Sequence, residues 1–413
     1  MLIKYENFNL LDINSVIMNI LLIETEPEGH HISLYLNSIV DKLISHNHKV
    51  TILTTKKTKD FPSFSYIKKK KIKILYLNEY TTFNRSNYFT ILLNQIILFY
   101  IIKKKFDSKN NFDYIYFNTF SVIDKAISIF GPPFKYIKFS GLIPSISFYN
   151  KKKIYQFSFY KNLINEFLFK RFIKIKNLDT IFVPDNNFVK YSKQKKINKK
   201  INISYDFGFF EDNSRKKLKD RIPAKIKKIF KKDKIFILIY GSIRFEKGVQ
   251  YLLKGLSLIT DNHKINLIIA GKQDSYTNNI INEYKNHNLI KKKLFILNYF
   301  IPKNLEHYLF QNCNYVWTGY TKNYTGSSAV FFLSSKYHKP VITSDHGLIS
   351  FYNKKFKTGY TLEIDNLDKI IKLLKSLLKK SHKVKKNNFL LINQMHNQYK
   401  FSENIYKNSF LNN

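Results

Sequence analysis

The sequence is short of cysteine, arginine, acidic side chains and long apolar runs, and each shortage excludes something. A single cysteine, Cys313, in 413 residues rules out a disulfide framework and a cysteine-cluster zinc site, and fits a reducing compartment. No Asp-x-Asp triplet and no His/Cys ligand spacing occurs, so no resident metal is expected. The longest apolar run, Tyr88 to Ile102, is broken by Asn94 and Gln95 and is too short and polar to span a bilayer. Lys4, Glu6 and Asp12 interrupt residues 1–17, so no secretory signal is read there and a cytoplasmic chain is expected.

Only 29 residues are acidic against 70 basic ones, a net charge of +41. Just five of the 70 are arginine: Arg85, Arg171, Arg215, Arg221 and Arg244. Nucleic-acid readers favour the forked guanidinium and gather their cations on one face. Here lysine is spread along the whole chain, amid abundant Ile, Asn, Tyr and Phe. Nucleic acid is therefore not an expected partner, whereas weak attraction to an anionic membrane surface is. Lys68 to Lys71, Lys103 to Lys105 and Lys151 to Lys153 would contribute to it, together with the 88–102 run.

What the chain does have is apolar content, 44% hydrophobic and 16% aromatic, enough for two cores. Two stretches alternate strand and helix patterns, the signature of parallel α/β domains. The first reads as strand (20–23), loop (24–30), helix (31–46) and strand (50–54). Further strands are predicted at 114–117, 136–139 and 181–184, with a helix over 122–129. A lysine-rich seam follows at 186–233. The pattern then restarts with strands at 235–240, 265–270, 294–297, 315–318 and 341–343. Phe401-Ser402-Glu403 suggests a capped start for a short terminal helix. The expected division is an extension (1–17), a first domain (18–205), a second domain (206–386) and a segment (387–413) crossing back to the first.

The most informative segment joins a buried strand to an amphipathic helix: Gly241-Ser242-Ile243-Arg244-Phe245-Glu246-Lys247-Gly248. In open parallel sheets ligands bind at the carboxyl ends of strands, and a helix N-terminus there suits an anion. Arg244 and Lys247 add two cations able to neutralise a diphosphate. A second loop, Thr325-Gly326-Ser327-Ser328, precedes a helix and then Lys339-Pro340-Val341. Its amides and hydroxyls suit phosphate or ribose oxygens, although a serine-capped structural helix has the same pattern.

This layout, including the strand ending Ile268-Ile269-Ala270-Gly271-Lys272, resembles the donor half of GT-B glycosyltransferases, in particular retaining family 4 (group 1), as a divergent member. The resemblance implies an α/β fold of two Rossmann-like domains facing each other across a cleft. It implies a hexosyltransferase-like enzyme that is retaining and metal-independent. Such an enzyme moves a sugar from a nucleoside-diphosphate sugar to a glycan or lipid-linked acceptor in cell-surface polysaccharide assembly. No cofactor is implied beyond that donor, and the place would be the cytoplasm, peripheral to a membrane face. It further implies that Gly241, Arg244, Lys247, Gly326, Ser327 and Ser328 hold the donor diphosphate, with Gly29, Gly271 and Thr325 near its sugar or nucleotide.

Catalytic candidates are His30 and His31, at the start of the first helix, and Ser140, near the place where relatives carry a histidine. One histidine of the pair could instead cap the helix. Two glutamates common in the family fall here on Thr325 and Leu333, neither acidic. That keeps open an impaired GT-B pseudoenzyme or partner subunit. A sugar-nucleotide epimerase on the same fold ranks lower, because carboxylates at strand ends are few.

Overall fold

A computed structural model describes residues 16–26, 31–61, 64–78, 83, 87–106, 111–146, 148–149, 156–197, 200–210, 222–230, 233–259, 264–379 and 384–411. Gly29, His30, Lys151 to Lys153 and nearly all of the expected extension lie outside the described residues.

Thirteen described strands form two parallel sheets. The first contains β1 (Asn19–Ile23), β2 (Lys49–Thr55), β3 (Lys73–Leu77), β4 (Tyr114–Phe117), β5 (Lys138–Leu142), β6 (Leu178–Val183) and β7 (Ile201–Ile203). Its order is β3-β2-β1-β4-β5-β6-β7. The second contains β8 (Ile235–Tyr240), β9 (Ile265–Ala270), β10 (Leu294–Leu297), β11 (Tyr315–Thr318), β12 (Val341–Ser344) and β13 (Gly359–Leu362), in the order β10-β9-β8-β11-β12-β13. In each sheet the first strand sits inside and the order reverses beside it. That is the Rossmann arrangement, with its ligand crevice at the carboxyl ends flanking the reversal.

The central strands are apolar on both faces because helices cover both. Leu21 and Ile23 of β1 belong to one core of the first domain, Ile20 and Leu22 to the other. Ile237 and Ile239 of β8 face one core of the second domain, Phe236 and Leu238 the other. The strand predicted at 136–139 begins two residues later, because Tyr136 adopts a left-handed turn conformation, φ 67°.

The chain crosses between the domains twice, through residues 204–210 and at His396–Asn397. The helix Lys386–Met395 packs on Ala329–Lys336 and Gly347–Phe356 of the second domain, whereas Gln398–Ser409 packs on Asn37–Ser45 of the first. The terminal helix is capped by Asn397, whose side chain accepts from the Lys400 amide. Ser402, expected at that cap, lies a turn inside, and its hydroxyl donates back to the Gln398 carbonyl at 2.9 Å, a satisfied mid-helix serine. The two crossings touch: His396 Nδ1 lies 2.9 Å from the backbone carbonyl of Asp206.

Candidate functional site

The segment after β8 turns back over the strand it leaves. Gly241 is at φ +90°, and a Cβ there would approach Lys247 Nζ to 3.3 Å. The missing side chain therefore makes room for the lysine, whose ammonium donates to the Tyr240 carbonyl. The Lys247 carbonyl accepts from the Trp317 indole at 2.8 Å, which ties the segment to β11. Burial and the neighbouring Arg244 lower the Lys247 pKa to about 7. Arg244 itself is exposed. Gly271 ends β9 at φ +139°, and a Cβ there would lie 1.8 Å from the Gly241 carbonyl oxygen. Its role is close backbone approach, and it is buried against the Gly241 turn.

The loop after β11 reaches the same place. The Tyr320 and Tyr324 rings stack at 4.2 Å, and Arg244 is close enough to act electrostatically on both hydroxyls. Tyr320 bonds the Ser328 hydroxyl at 3.0 Å, and Tyr324 donates to the Ser327 carbonyl. Ser328 holds the N-cap position of the helix Ala329–Lys336 without using its side chain as a cap. Thr325 is fixed through its backbone, its carbonyl accepting from the Leu348 amide at 3.1 Å. A Cβ on Gly326 would be 3.8 Å from the Ser145 hydroxyl, so this loop faces the segment after β5 across the cleft. Leu333 is 4% exposed and packs in the second domain's core.

On the first-domain side the structure assembles a group that sequence reading did not connect. Glu24, at the carboxyl end of β1, is buried, and burial raises its pKa. Its carboxylate accepts from the Asn118 amide, the Thr119 hydroxyl at 2.9 Å and the Glu26 amide at 2.7 Å. Thr119 also lies 3.3 Å from His31 Nδ1. His31 opens a π-helical turn, His31–Leu36, and its ring meets Tyr35 edge-on at 6.0 Å. The Tyr35 hydroxyl donates to Asp206 at 2.5 Å. Asp206 is 2% exposed, and burial raises its pKa, opposed by the nearby Ser327 hydroxyl and the Tyr35 bond. Tyr35 thus bonds the first crossing to the first domain, and Asp206 sits beside Ser327 of the 325–328 loop. The signal for Asp206 is weak in sequence, a lone acid between aromatics.

Ser140 corrects an expectation. It is fully buried within β5, bonded to the Tyr114 hydroxyl and to Ser409 at 2.7 Å. It joins the terminal helix to the sheet and does not face the cleft. A cavity of 740 Å³ opens elsewhere, on the β9–β10 side of the second domain among Ile226, Lys234, Phe295 and Tyr299, and no residue of the cleft lines it.

Residues 220–389 match the family described as glycosyl transferases group 1. The match falls on the second domain, which is thus similar in sequence to group 1 glycosyltransferases. No curated protein matched in a sequence comparison. Solved structures similar over the whole chain include HepE of Anabaena in complex with UDP-glucose, at 13% identity and TM-score 0.66, covering 94% of this chain and 98% of that one. Sucrose-phosphate synthase from Thermosynechococcus elongatus has the same identity and coverage at TM-score 0.67. WaaG, a glycosyltransferase involved in lipopolysaccharide biosynthesis, is 11% identical at TM-score 0.60, covering 94% and 97%. At such identities the likeness establishes the fold, which is GT-B. The matched stretch contains Arg244, Lys247 and the 325–328 loop, at the carboxyl ends of the second sheet's central strands.

Proposed function

We infer that this protein is a glycosyltransferase that moves a sugar from a nucleoside-diphosphate sugar to a glycan or lipid-linked acceptor. The observation that carries this reading is the convergence of Arg244, Lys247 and the 325–328 loop at the carboxyl ends of β8 and β11, within the stretch similar to group 1 glycosyltransferases. Arg244 and Lys247 bind the diphosphate and stabilise charge on the departing nucleotide. The Gly326–Ser328 segment lies against its oxygens. The UDP and UDP-glucose bound to HepE favour a uridine nucleotide as the first donor to try.

The resemblance to retaining group 1 enzymes is what supports transfer with retained configuration; Arg244 and Lys247, which can supply positive charge to the diphosphate, support transfer without a metal. His31, steadied by Thr119 and Glu24, is the group available on the acceptor side, with His30 beside it in sequence. The protein works in the cytoplasm, held weakly at an anionic membrane face during assembly of a surface polysaccharide. Isothermal titration with UDP in excess EDTA tests the donor site, with Arg244→Ala beside the wild type. Expected is binding that survives EDTA and is lost in the variant; equal affinity in both removes the assignment. NMR of the product anomer tests retention.

Leu333 favours a second reading. The helix Ala329–Lys336 has no acid to hold the ribose hydroxyls, which suits a nucleotide-binding partner subunit without turnover. Release of free sugar from a UDP-sugar separates the two, since a subunit without turnover gives none.

A further inference from the structure

Large apolar side chains exposed on a soluble protein are usually scattered. On the helix Gln156–Phe172 they are aligned. Leu163, Ile164 and Phe167 are 44%, 46% and 59% exposed, and their spacing puts them on one helical face. Tyr160 is exposed one turn earlier. Phe169 and Phe172 of the same helix are buried in the first domain's core, so the exposed stripe is additional to the packing face. The neighbouring helix Tyr88–Lys105 begins beside it: the Tyr88 hydroxyl donates to the Asn165 side chain at 3.0 Å, and Phe89 is 71% exposed.

Cations frame the stripe. Lys161 Nζ lies 5.9 Å from the Tyr88 ring centre, and the Arg171 guanidinium 6.0 Å from that of Phe167. Lys170 and Lys174 are exposed. The helix has one acid, Glu166, partly buried and paired with Lys170 at 2.8 Å. Helices that connect parallel strands run against them, so the N-terminal half of this helix lies toward the sheet's carboxyl edge. That edge carries the cleft, and Phe167 is only about 16 Å along the helix from its start.

We propose that the stripe Leu163, Ile164 and Phe167, with Phe89, docks on an anionic lipid bilayer, the apolar groups entering the headgroup layer while Lys161 and Arg171 meet lipid phosphates. Charge selects this occupant. A chain of net charge +41 is attracted to such a surface. A second copy docked here would set this cation-framed face against an identical one. The proposal rests on the transferase reading for one point only: a lipid-linked acceptor explains why the docking face adjoins the cleft.

A probe at this face tests it. Cys313 is buried and its thiol is pushed up to about 12, so Leu163→Cys can be labelled selectively with an environment-sensitive dye. Lys285→Cys, on the second domain, is the control. Vesicles of phosphatidylglycerol and phosphatidylcholine should shift emission to the blue at position 163 and not at 285. Ile164→Ser with Phe167→Ser should weaken vesicle partitioning about tenfold or more and leave UDP affinity unchanged. No shift at 163, an equal shift on pure phosphatidylcholine, or a vesicle-independent shift with doubled mass overturns the proposal; the last would assign the face to a second copy. Vesicle docking without UDP binding would sink the transferase reading and leave the docking face standing.

Discussion

The charge on Lys247 is set by its surroundings. Its pKa of about 7 reflects burial and the field of Arg244, and a diphosphate beside it would raise that value. In the unliganded protein Lys247 is charged below pH 7 and increasingly neutral above it. Affinity for UDP should therefore fall as pH rises from 7 to 9, with proton uptake on binding. Calorimetry in buffers of different ionisation enthalpy reads that uptake, and Lys247→Ala should abolish it. Arg244 acts through geometry. Arg244→Ala should cost about 1.5–3 kcal/mol of UDP binding, and Arg244→Lys should recover only part, since an ammonium lacks the fork. Ser140 belongs to the fold. Ser140→Ala should lower stability by roughly 1 kcal/mol in urea titration, with UDP affinity unchanged, because Tyr114 still donates to Asp179 at 2.7 Å.

At the scale of elements, the 325–328 loop depends on a contact between the first crossing and the helix that follows the loop. Gly208 lies so close to Ala329–Lys336 that a Cβ would sit 2.3 Å from the Ala329 carbonyl oxygen and from the Leu333 amide nitrogen. The obstacle is backbone, which cannot rotate away. Gly208→Ala should destabilise by roughly 1–3 kcal/mol and also weaken UDP binding, because the helix must shift and Ser327 and Ser328 precede it. Retained UDP affinity in a destabilised variant would show that the loop is independent of the crossing. Gly326 contrasts with it, since an added Cβ meets nothing closer than 3.6 Å. Gly326→Ala should leave stability unchanged, so any loss of UDP affinity reports on the ligand.

For the whole molecule the decisive group is Asp206, where the first crossing meets Tyr35 of one domain, Ser327 of the other and His396 of the second crossing. Burial raises its pKa above the ordinary 3.8. The native state then holds a proton that the unfolded chain has already released. Between 3.8 and the raised value this group's contribution to stability falls as pH rises. Asp206→Asn keeps an acceptor for Tyr35 and removes the buried charge. Its stability, by urea unfolding at pH 4 and pH 6, should fall less across that interval than the wild type's. Tyr35→Phe, which leaves the carboxylate short of a donor, should instead lose about 1–3 kcal/mol at pH 6. Equal losses across that interval in wild type and Asp206→Asn would show that Asp206 does not titrate there.

Local pattern was enough for the two-fold βα alternation and the segment from Gly241 to Gly248. Unbroken apolar runs such as Ile235–Tyr240 identify strands buried on both faces, and glycine at a strand's end followed by an amphipathic helix marks the turn proposed to hold the donor. The edge strands β3, β7 and β13 are not signalled, because Lys73, Asn202 and Thr361 dilute short stretches whose pairing supplies the missing stabilisation. The site divided in the same way. Arg244 and Lys247 stand beside the strand end that gives them meaning. Glu24, Thr119 and His31 are far apart in sequence, as are Tyr35, Asp206 and Ser327, and folding brings each set together. Ser140 shows the converse. The resemblance puts it near a position where relatives carry a histidine, yet the terminal helix covers it with Ser409. Which face of a strand meets solvent depends on what packs there, and that partner arrives from the far end of the chain.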